Sequence, residues 1–270
     1  MDTSTTVPII RDWKKSDKTR RIVMVTAYDF SGAKIVDDAG ADIILVGDSL
    51  GMVMLGYPDT LSVTIDDMVR HTSAVTRARP KAMVVADLPW MTYHLSQKDT
   101  IQNAAALIRA GASAVKLEGG VKRGEMIDAL IDSEIPVMGH LGLTPQSVNI
   151  TGGYKVQARE TSAAQSLVSD AKFLDDHGCF AVVLEAIPLG LARQVTAELS
   201  VPTIGIGAGP QCDGQVLVYH DLLGLIPGNQ PRFVRQYGNL YDQATKAIET
   251  FISDVHEGRF PGLDESYGSS

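Results

Sequence analysis

Cysteine is scarce in this chain. The two present among 270 residues, Cys179 and Cys212, form no CxxC pair, so neither a disulfide framework nor a thiolate metal site can be read from them. Both are expected to be reduced and structural. Long apolar runs are missing as well. The longest uncharged stretch, Ile135 to Tyr154, is interrupted by Pro136, Pro145 and Asn149, and Met1 to Arg11 holds no apolar segment of signal-peptide length. A soluble, cytoplasmic protein with no membrane contact is expected. There is no basic excess either: 24 Lys and Arg against 32 Asp and Glu leave a formal charge of −8. Binding to nucleic acid by counterion release needs clustered cations, so nucleic acid is not an expected partner. The one basic cluster, Lys14, Lys15, Lys18, Arg20 and Arg21, reads as a solvated end to an N-terminal approach segment, 1–20.

What is present is the composition of a globular protein. Hydrophobic residues make up 44% and charged residues 21% of the chain, enough for a sizeable core. Short apolar runs recur between helix-length mixtures of polar and apolar residues, which is the pattern of βα units. Eight are read as strands: Ile22–Tyr28, Ile43–Asp48, Met83–Asp87, Ala114–Glu118, Val137–Leu141, Ala181–Glu185, Thr203–Ile206 and Phe233–Tyr237. The runs ILVGD, MVVAD and AVVLE are almost continuously apolar, as strands buried on both faces of a parallel sheet must be. Ile101, Ala104, Ala105, Ile108 and Ala112 keep the spacing of one helix face, and so do Ala164, Leu167, Val168, Ala171 and Leu174. Gly40, Gly111 and Gly178 each sit where a left-handed cap would turn a helix back into a strand. No composition break precedes the polar tail, 261–270. The expected architecture is α/β, a single (β/α)8 TIM barrel domain over 1–270, with a doubly wound sheet as the alternative.

An acid follows each of those glycines after seven or eight residues: Asp48, Glu118 and Glu185. Asp87 closes a fourth run. The C-terminal strand ends of an α/β barrel converge on its active site, so four carboxylates are expected at one mouth. Strand alternation places Lys116 on the face of Glu118. Taken singly, each acid reads more simply as an N-cap or turn residue. Four acids together with a lysine inside an apolar strand outweigh that reading, because a buried ammonium needs a partner. Crowded carboxylates in turn need a cation, and hard oxygen donors suit Mg²⁺ better than zinc. Two weaker candidates remain open at this level. His140 either contacts a substrate or is a satisfied structural histidine, and Gly205, Gly207 and Gly209 form either a ligand-approach loop or a tight turn.

The segments TAYD (26–29), VGDSLGMV (46–53), ADLPW (86–90), VKLEGG (115–120), GHLGLTPQ (139–146), LEAIP (184–188) and IGIGAGP (204–210) stand in this order in the chain. Together they resemble the ketopantoate hydroxymethyltransferase family. The resemblance implies a barrel of the phosphoenolpyruvate/pyruvate type, a homo-oligomer and a Mg²⁺ ion or another divalent cation. It also implies a reaction: transfer of a hydroxymethyl group from 5,10-methylenetetrahydrofolate, the co-substrate, to 3-methyl-2-oxobutanoate in pantothenate synthesis, through an enolate. By the same resemblance Asp48, Asp87 and Glu118 match metal-associated acids. Asp48, Ser49, Asp87 and Lys116 match substrate-binding positions, and Glu185 matches the proton acceptor. Two rivals stay open. One is a Mg²⁺-dependent lyase or aldolase acting beside a 2-oxo acid, for which a loop cysteine would be expected, and the other is a non-catalytic, metabolite-binding barrel.

Overall fold

The structure, a computed structural model, describes residues 4–16, 20–228 and 230–268. Lys18, named in the basic cluster above, and the extremes of the N-terminal segment and C-terminal tail lie outside the described residues. Eight parallel strands close into a barrel in sequence order: β1 (Ile22–Thr26), β2 (Ile43–Val46), β3 (Met83–Asp87), β4 (Ala114–Glu118), β5 (Val137–Gly142), β6 (Ala181–Glu185), β7 (Thr203–Ile206) and β8 (Gly214–Leu217). Each pairs in parallel with its neighbours, and β8 returns to β1 with Gly214 opposite Ile22. The expected (β/α)8 barrel is the observed fold.

The apolar runs divide by parity. Odd-numbered Met83 and Val85 of β3, with Met24, Ile43, Met138 and Val183, fill the barrel lumen. Even-numbered Val84 and Ala86 of the same strand pack outward against the helices, together with Val46, Val115, Val182 and Leu184. Both faces are buried, which is why the strands read as continuous apolar runs. The lumen cluster also contains Ile10 and Trp13. Thr5 N donates to Lys81 O at 2.8 Å, and Lys14 Nζ donates to Leu199 O at 2.9 Å, so this segment closes the N-terminal end of the barrel.

Two expectations are corrected here. The eighth strand is Gly214–Leu217, not Phe233–Tyr237, which forms no strand. The true β8 is four residues long, begins with glycine and exposes Gln215, so it carries no apolar signature. Glycine is required there, because a Cβ on Gly214 would stand 2.7 Å from Ile22 O. The basic cluster is not simply solvated. Arg20 pairs with both carboxylate oxygens of Asp42 at 2.9 and 2.7 Å, and Arg21 donates to Cys212 O, so these cations tie the N-terminal segment to the barrel floor.

Where one domain over 1–270 was expected, contacts group the chain into two compact units. Met1–Tyr219 contains all eight strands, and His220–Ser270 contains the helix Leu240–His256. Among the described residues no helix is long and apolar enough to cross a membrane.

The three glycine caps are present, with φ of 85° at Gly40, 104° at Gly111 and 87° at Gly178. At Gly111 a Cβ would also meet Thr76 Cβ and Oγ1 at 2.8 Å. Gly111→Ala therefore combines a left-handed penalty with a clash, and is expected to cost about 1–3 kcal/mol. Denaturant unfolding measures it, and an unchanged midpoint would show that the turn relaxes freely.

Candidate active site

Strand order and alternation assemble the site. Asp87 closes β3, Lys116 and Glu118 project from β4 into the lumen, His140 lies on β5, Glu185 closes β6, and Asp48 follows β2 by two residues. Register sets Asp87 opposite Lys116 and Glu118 opposite His140. Asp48, Asp87, Lys116, Glu118 and His140 are each at most 5% exposed. Every acid singled out in the sequence thus reaches the same barrel mouth.

The polar contacts run as a chain across four strands. Asp48 N donates to Asp87 Oδ2 at 3.1 Å, and Lys116 Nζ stands 3.0 Å from Asp87 Oδ1. His140 places Nδ1 3.4 Å from Glu118 Oε1 and 3.4 Å from Lys116 Nζ. Its Nε2 lies 3.2 Å from Glu185 Oε2. His140 is therefore a member of the site, bridging the Glu118 side to Glu185 on the next strand.

The electrostatics follow from burial with one sign in excess. Burial, then Asp87 and Glu118, pushes the Asp48 carboxyl well above the usual carboxylate range. Burial opposes the charge on Lys116, but Asp87, Glu118 and Asp48 outweigh it, so its ammonium stays protonated. For His140, burial and Lys116 act downward, while hydrogen bonding to Glu118 and Glu185 prevails and holds the imidazole up to about 9.

Two partners were not singled out in the sequence. Gln146 Nε2 donates to Asp48 Oδ2 at 2.8 Å and to Leu88 O at 3.0 Å, while its own N–H donates to Glu118 Oε2 at 3.0 Å. Tyr93 OH donates to Gln146 Oε1 at 2.6 Å and accepts from Glu118 N at 3.2 Å. Burial keeps that phenol protonated. Both residues orient the acids. The signal that could have found Gln146 is its place at the end of GHLGLTPQ; Tyr93, in the loop after β3, gives none.

Ser49 sits beside Asp48, its Oγ 2.9 Å from Tyr28 OH. Residues 47–51 spell Gly-x-Ser-x-Gly, the pattern of a hydrolase nucleophile elbow. Ser49 nevertheless has ordinary helical angles, φ −52° and ψ −18°, and its partner is a tyrosine, so the strain and the histidine of such an elbow are both missing. Neither cysteine is suited to nucleophilic work. Burial, then Asp175 and Asp128, pushes the Cys179 thiol up to about 12, and burial raises Cys212 as well. The glycine run that begins within β7 and continues past its end is tightly packed, since a Cβ on Gly205 would meet Cys212 Sγ at 2.9 Å and one on Gly209 would meet Leu189 Cδ1 at 2.5 Å.

A family model described as ketopantoate hydroxymethyltransferase matches residues 4–263. The chain belongs to the ketopantoate hydroxymethyltransferase family. A 3-methyl-2-oxobutanoate hydroxymethyltransferase of Methylobacterium sp. (strain 4-46) is 54% identical over 262 residues, covering 97% of this chain and 90% of that protein. One of the same name from Syntrophomonas wolfei subsp. wolfei is 52% identical, covering 97% and 95%. Among solved structures, phosphoenolpyruvate phosphomutase from Streptomyces platensis subsp. rosaceus aligns with a TM-score of 0.63 at 14% identity, covering 98% of this chain and 92% of that one. A 2,3-dimethylmalate lyase of the PEP mutase/isocitrate lyase superfamily aligns at 0.60 and 19% identity, also covering 98% and 92%. Identity that low carries the barrel fold alone.

The family's implied divalent ion is tested against the residues present. Among the described residues no group of three or more His, Cys, Asp or Glu side chains is arranged to enclose an ion unaided. Mg²⁺ does not require that, since it commonly takes one or two carboxylates and completes its shell with substrate and water oxygens. Asp48 and Asp87 supply such a pair. Asp87 Oδ1 is buried without a well-formed hydrogen bond, and the Asp48 carboxyl is destabilised as an anion by its neighbours. The donor set fits a hard divalent cation.

Proposed function

We propose that this enzyme transfers a hydroxymethyl group from 5,10-methylenetetrahydrofolate to C3 of 3-methyl-2-oxobutanoate, giving 2-dehydropantoate, the ketopantoate of pantothenate synthesis. The observation that carries the reading is the buried Asp48, Asp87 and Lys116 cluster, linked through His140 to Glu185. Asp48 and Asp87 would hold the divalent ion, with Glu118 as the third acid of the set. When bound, that ion supplies a Lewis acid that draws charge from the oxygens of a 2-oxo acid.

The chain's own residues then divide the work. Lys116, fixed against Asp87, offers a permanent positive charge to the substrate carboxylate, and the Ser49 hydroxyl adds a donor beside it. Glu185 is the least enclosed acid of the set, its side chain 15% exposed, and suits a base that must meet substrate. It takes the proton from C3, and the methylene carbon of the donor exchanges its two C–N bonds for one C–C bond to the enolate carbon and one C–O bond to a water oxygen, while the C3 proton and a water proton go to the nitrogens of the departing tetrahydrofolate. His140 Nε2 at 3.2 Å orients the Glu185 carboxylate for that step. Tyr93 and Gln146 hold Asp48 and Glu118 in place before any ligand arrives.

The direct experiment is product formation from 3-methyl-2-oxobutanoate and 5,10-methylenetetrahydrofolate, with and without Mg²⁺. Formation of 2-dehydropantoate only when all three are present is expected, and its absence would remove the assignment. Lys116→Met separates the two substrates further. It is expected to raise the KM for the oxo acid roughly tenfold or more, while the KM for the folate changes little. Equal rises in both would mark the lysine as structural.

A further inference from the structure

The loop after β5 crosses the barrel mouth. Gly152 and Gly153, with φ of 65° and 111°, turn the chain out of the short helix Val148–Thr151, and further on Gln157 N donates to Ala186 O at 2.9 Å, directly after Glu185 of β6. Between these two points stands Tyr154, whose hydroxyl lies 3.7 Å from Met52 Sδ. Met52 belongs to the short helix Leu50–Val53, which follows Asp48 and Ser49 beyond β2. β2 and β6 are four places apart in a closed barrel of eight strands, so they stand on opposite walls. A side chain held from the β6 wall and touching the β2 wall must lie over the opening.

The electrostatic surroundings of Tyr154 agree with that position. Burial first, and then the carboxylates of Asp59, Asp48, Glu185 and Glu118, holds its phenol above the ordinary range. Three of these acids belong to the network at the mouth and stand at the ends of β2, β4 and β6. A group that all three reach is placed centrally above them. Tyr154 and Met52 still leave much of their surface open, being 49% and 38% exposed. An aromatic ring and a thioether gain nothing beside the acids or Lys116; they gain by covering an apolar part of a ligand.

We infer that Tyr154, with Met52 beside it, reads the branched end of the oxo acid: the ring and the thioether cover the two methyl groups on C3, so that the site selects a branched 2-oxo acid over a straight one. The inference rests on the transfer reading for the identity of the acid, and the placement rests on the crossing loop. In that reading the carboxylate end of the substrate lies deep, at Asp48, Asp87 and Lys116, while C3 lies at Glu185, the least enclosed acid. The groups carried by C3 then point toward the opening, where Tyr154 and Met52 stand. Tyr154 takes no proton in this account. Its part is to make the methyl groups count, and one methyl in an apolar pocket is worth roughly 10–200-fold in selection.

The test is Mg²⁺-dependent exchange of the C3 hydrogen with deuterated solvent, followed by proton NMR on the full-length protein without donor, with 3-methyl-2-oxobutanoate and with 2-oxobutanoate, which lacks one methyl. The ratio of kcat/KM for the two acids is compared between variant and wild type, which cancels their different C3 acidities. Tyr154→Ala is expected to lower the preference for the branched acid by about tenfold, mainly through its KM, with exchange of 2-oxobutanoate within about threefold of wild type. Met52→Ala, which leaves the crossing loop intact, is expected to lower the preference several-fold in the same direction. Tyr154→Phe keeps the ring and is expected to keep the preference within about twofold. The rise in melting temperature on adding Mg²⁺ should persist in all three, since none of them removes an acid. A wild-type preference in Tyr154→Ala, or an equal loss in Tyr154→Phe, overturns the inference. Failure of the transfer reading shows separately, as an absence of exchange with either acid in the wild type, and takes this placement with it.

Discussion

Glu185→Gln is expected to lower the transfer rate by roughly 10²–10⁴-fold, the range for loss of a positioned general base. The amide keeps the size of the carboxylate and one acceptor oxygen, so the 3.2 Å approach of His140 Nε2 can persist. What it loses is the capacity to take a proton. The KM for 3-methyl-2-oxobutanoate should stay within a few-fold of wild type, because the proposed contacts to the substrate carboxylate come from Lys116 and Ser49. A loss confined to kcat marks an interaction made in the transition state; a loss confined to KM would instead make Glu185 a binding residue. Steady-state kinetics with saturating Mg²⁺ separates the two.

Asp48→Asn is expected to be nearly as damaging, for a different reason. Removing one anionic donor from a hard-cation pair forfeits several kcal/mol of charge stabilisation, on the order of 10²–10³ in rate. Without metal the same change should be neutral or stabilising. Asp48 is buried beside Asp87 and Glu118 and is disfavoured as an anion, so a neutral amide relieves that repulsion, and its oxygen can still accept from Gln146 Nε2. The expected signature is a melting temperature at or above wild type without Mg²⁺, and no rise when Mg²⁺ is added, whereas wild type gains stability by binding the ion. A variant that melts lower yet keeps its Mg²⁺ response would place the ion elsewhere.

The barrel was legible because six of its strands, β2 to β7, are buried on both sides, which keeps their runs largely apolar, and β1 is apolar throughout although Val23 is exposed. The four acids were legible because they close those runs, where a carboxylate is otherwise out of place. β8 was hidden by its brevity and its alternation of Gly214, exposed Gln215 and buried Val216, while the aromatic content of Phe233–Tyr237 drew the assignment away. Lys14, Arg20 and Arg21 looked solvated because their partners, Thr196 O, Asp42 and Cys212 O, are distant or lie in the backbone, where side-chain identity says nothing. Gln146 and Tyr93 escaped for a similar reason. Their work is to donate across loops 53 residues apart, and no local spacing encodes that contact.

The most direct measurement of the account is solvent exchange at C3 of 3-methyl-2-oxobutanoate, followed by proton NMR in deuterated water without folate. The wild-type enzyme with Mg²⁺ is predicted to remove the C3 hydrogen signal and collapse the coupling of the methyl groups, and Glu185→Gln or chelation of the metal is predicted to stop it. Exchange that persists at the wild-type rate in Glu185→Gln, or that proceeds unchanged after the divalent ion is chelated, would contradict a base at Glu185 working on an oxo acid held at Asp48 and Asp87.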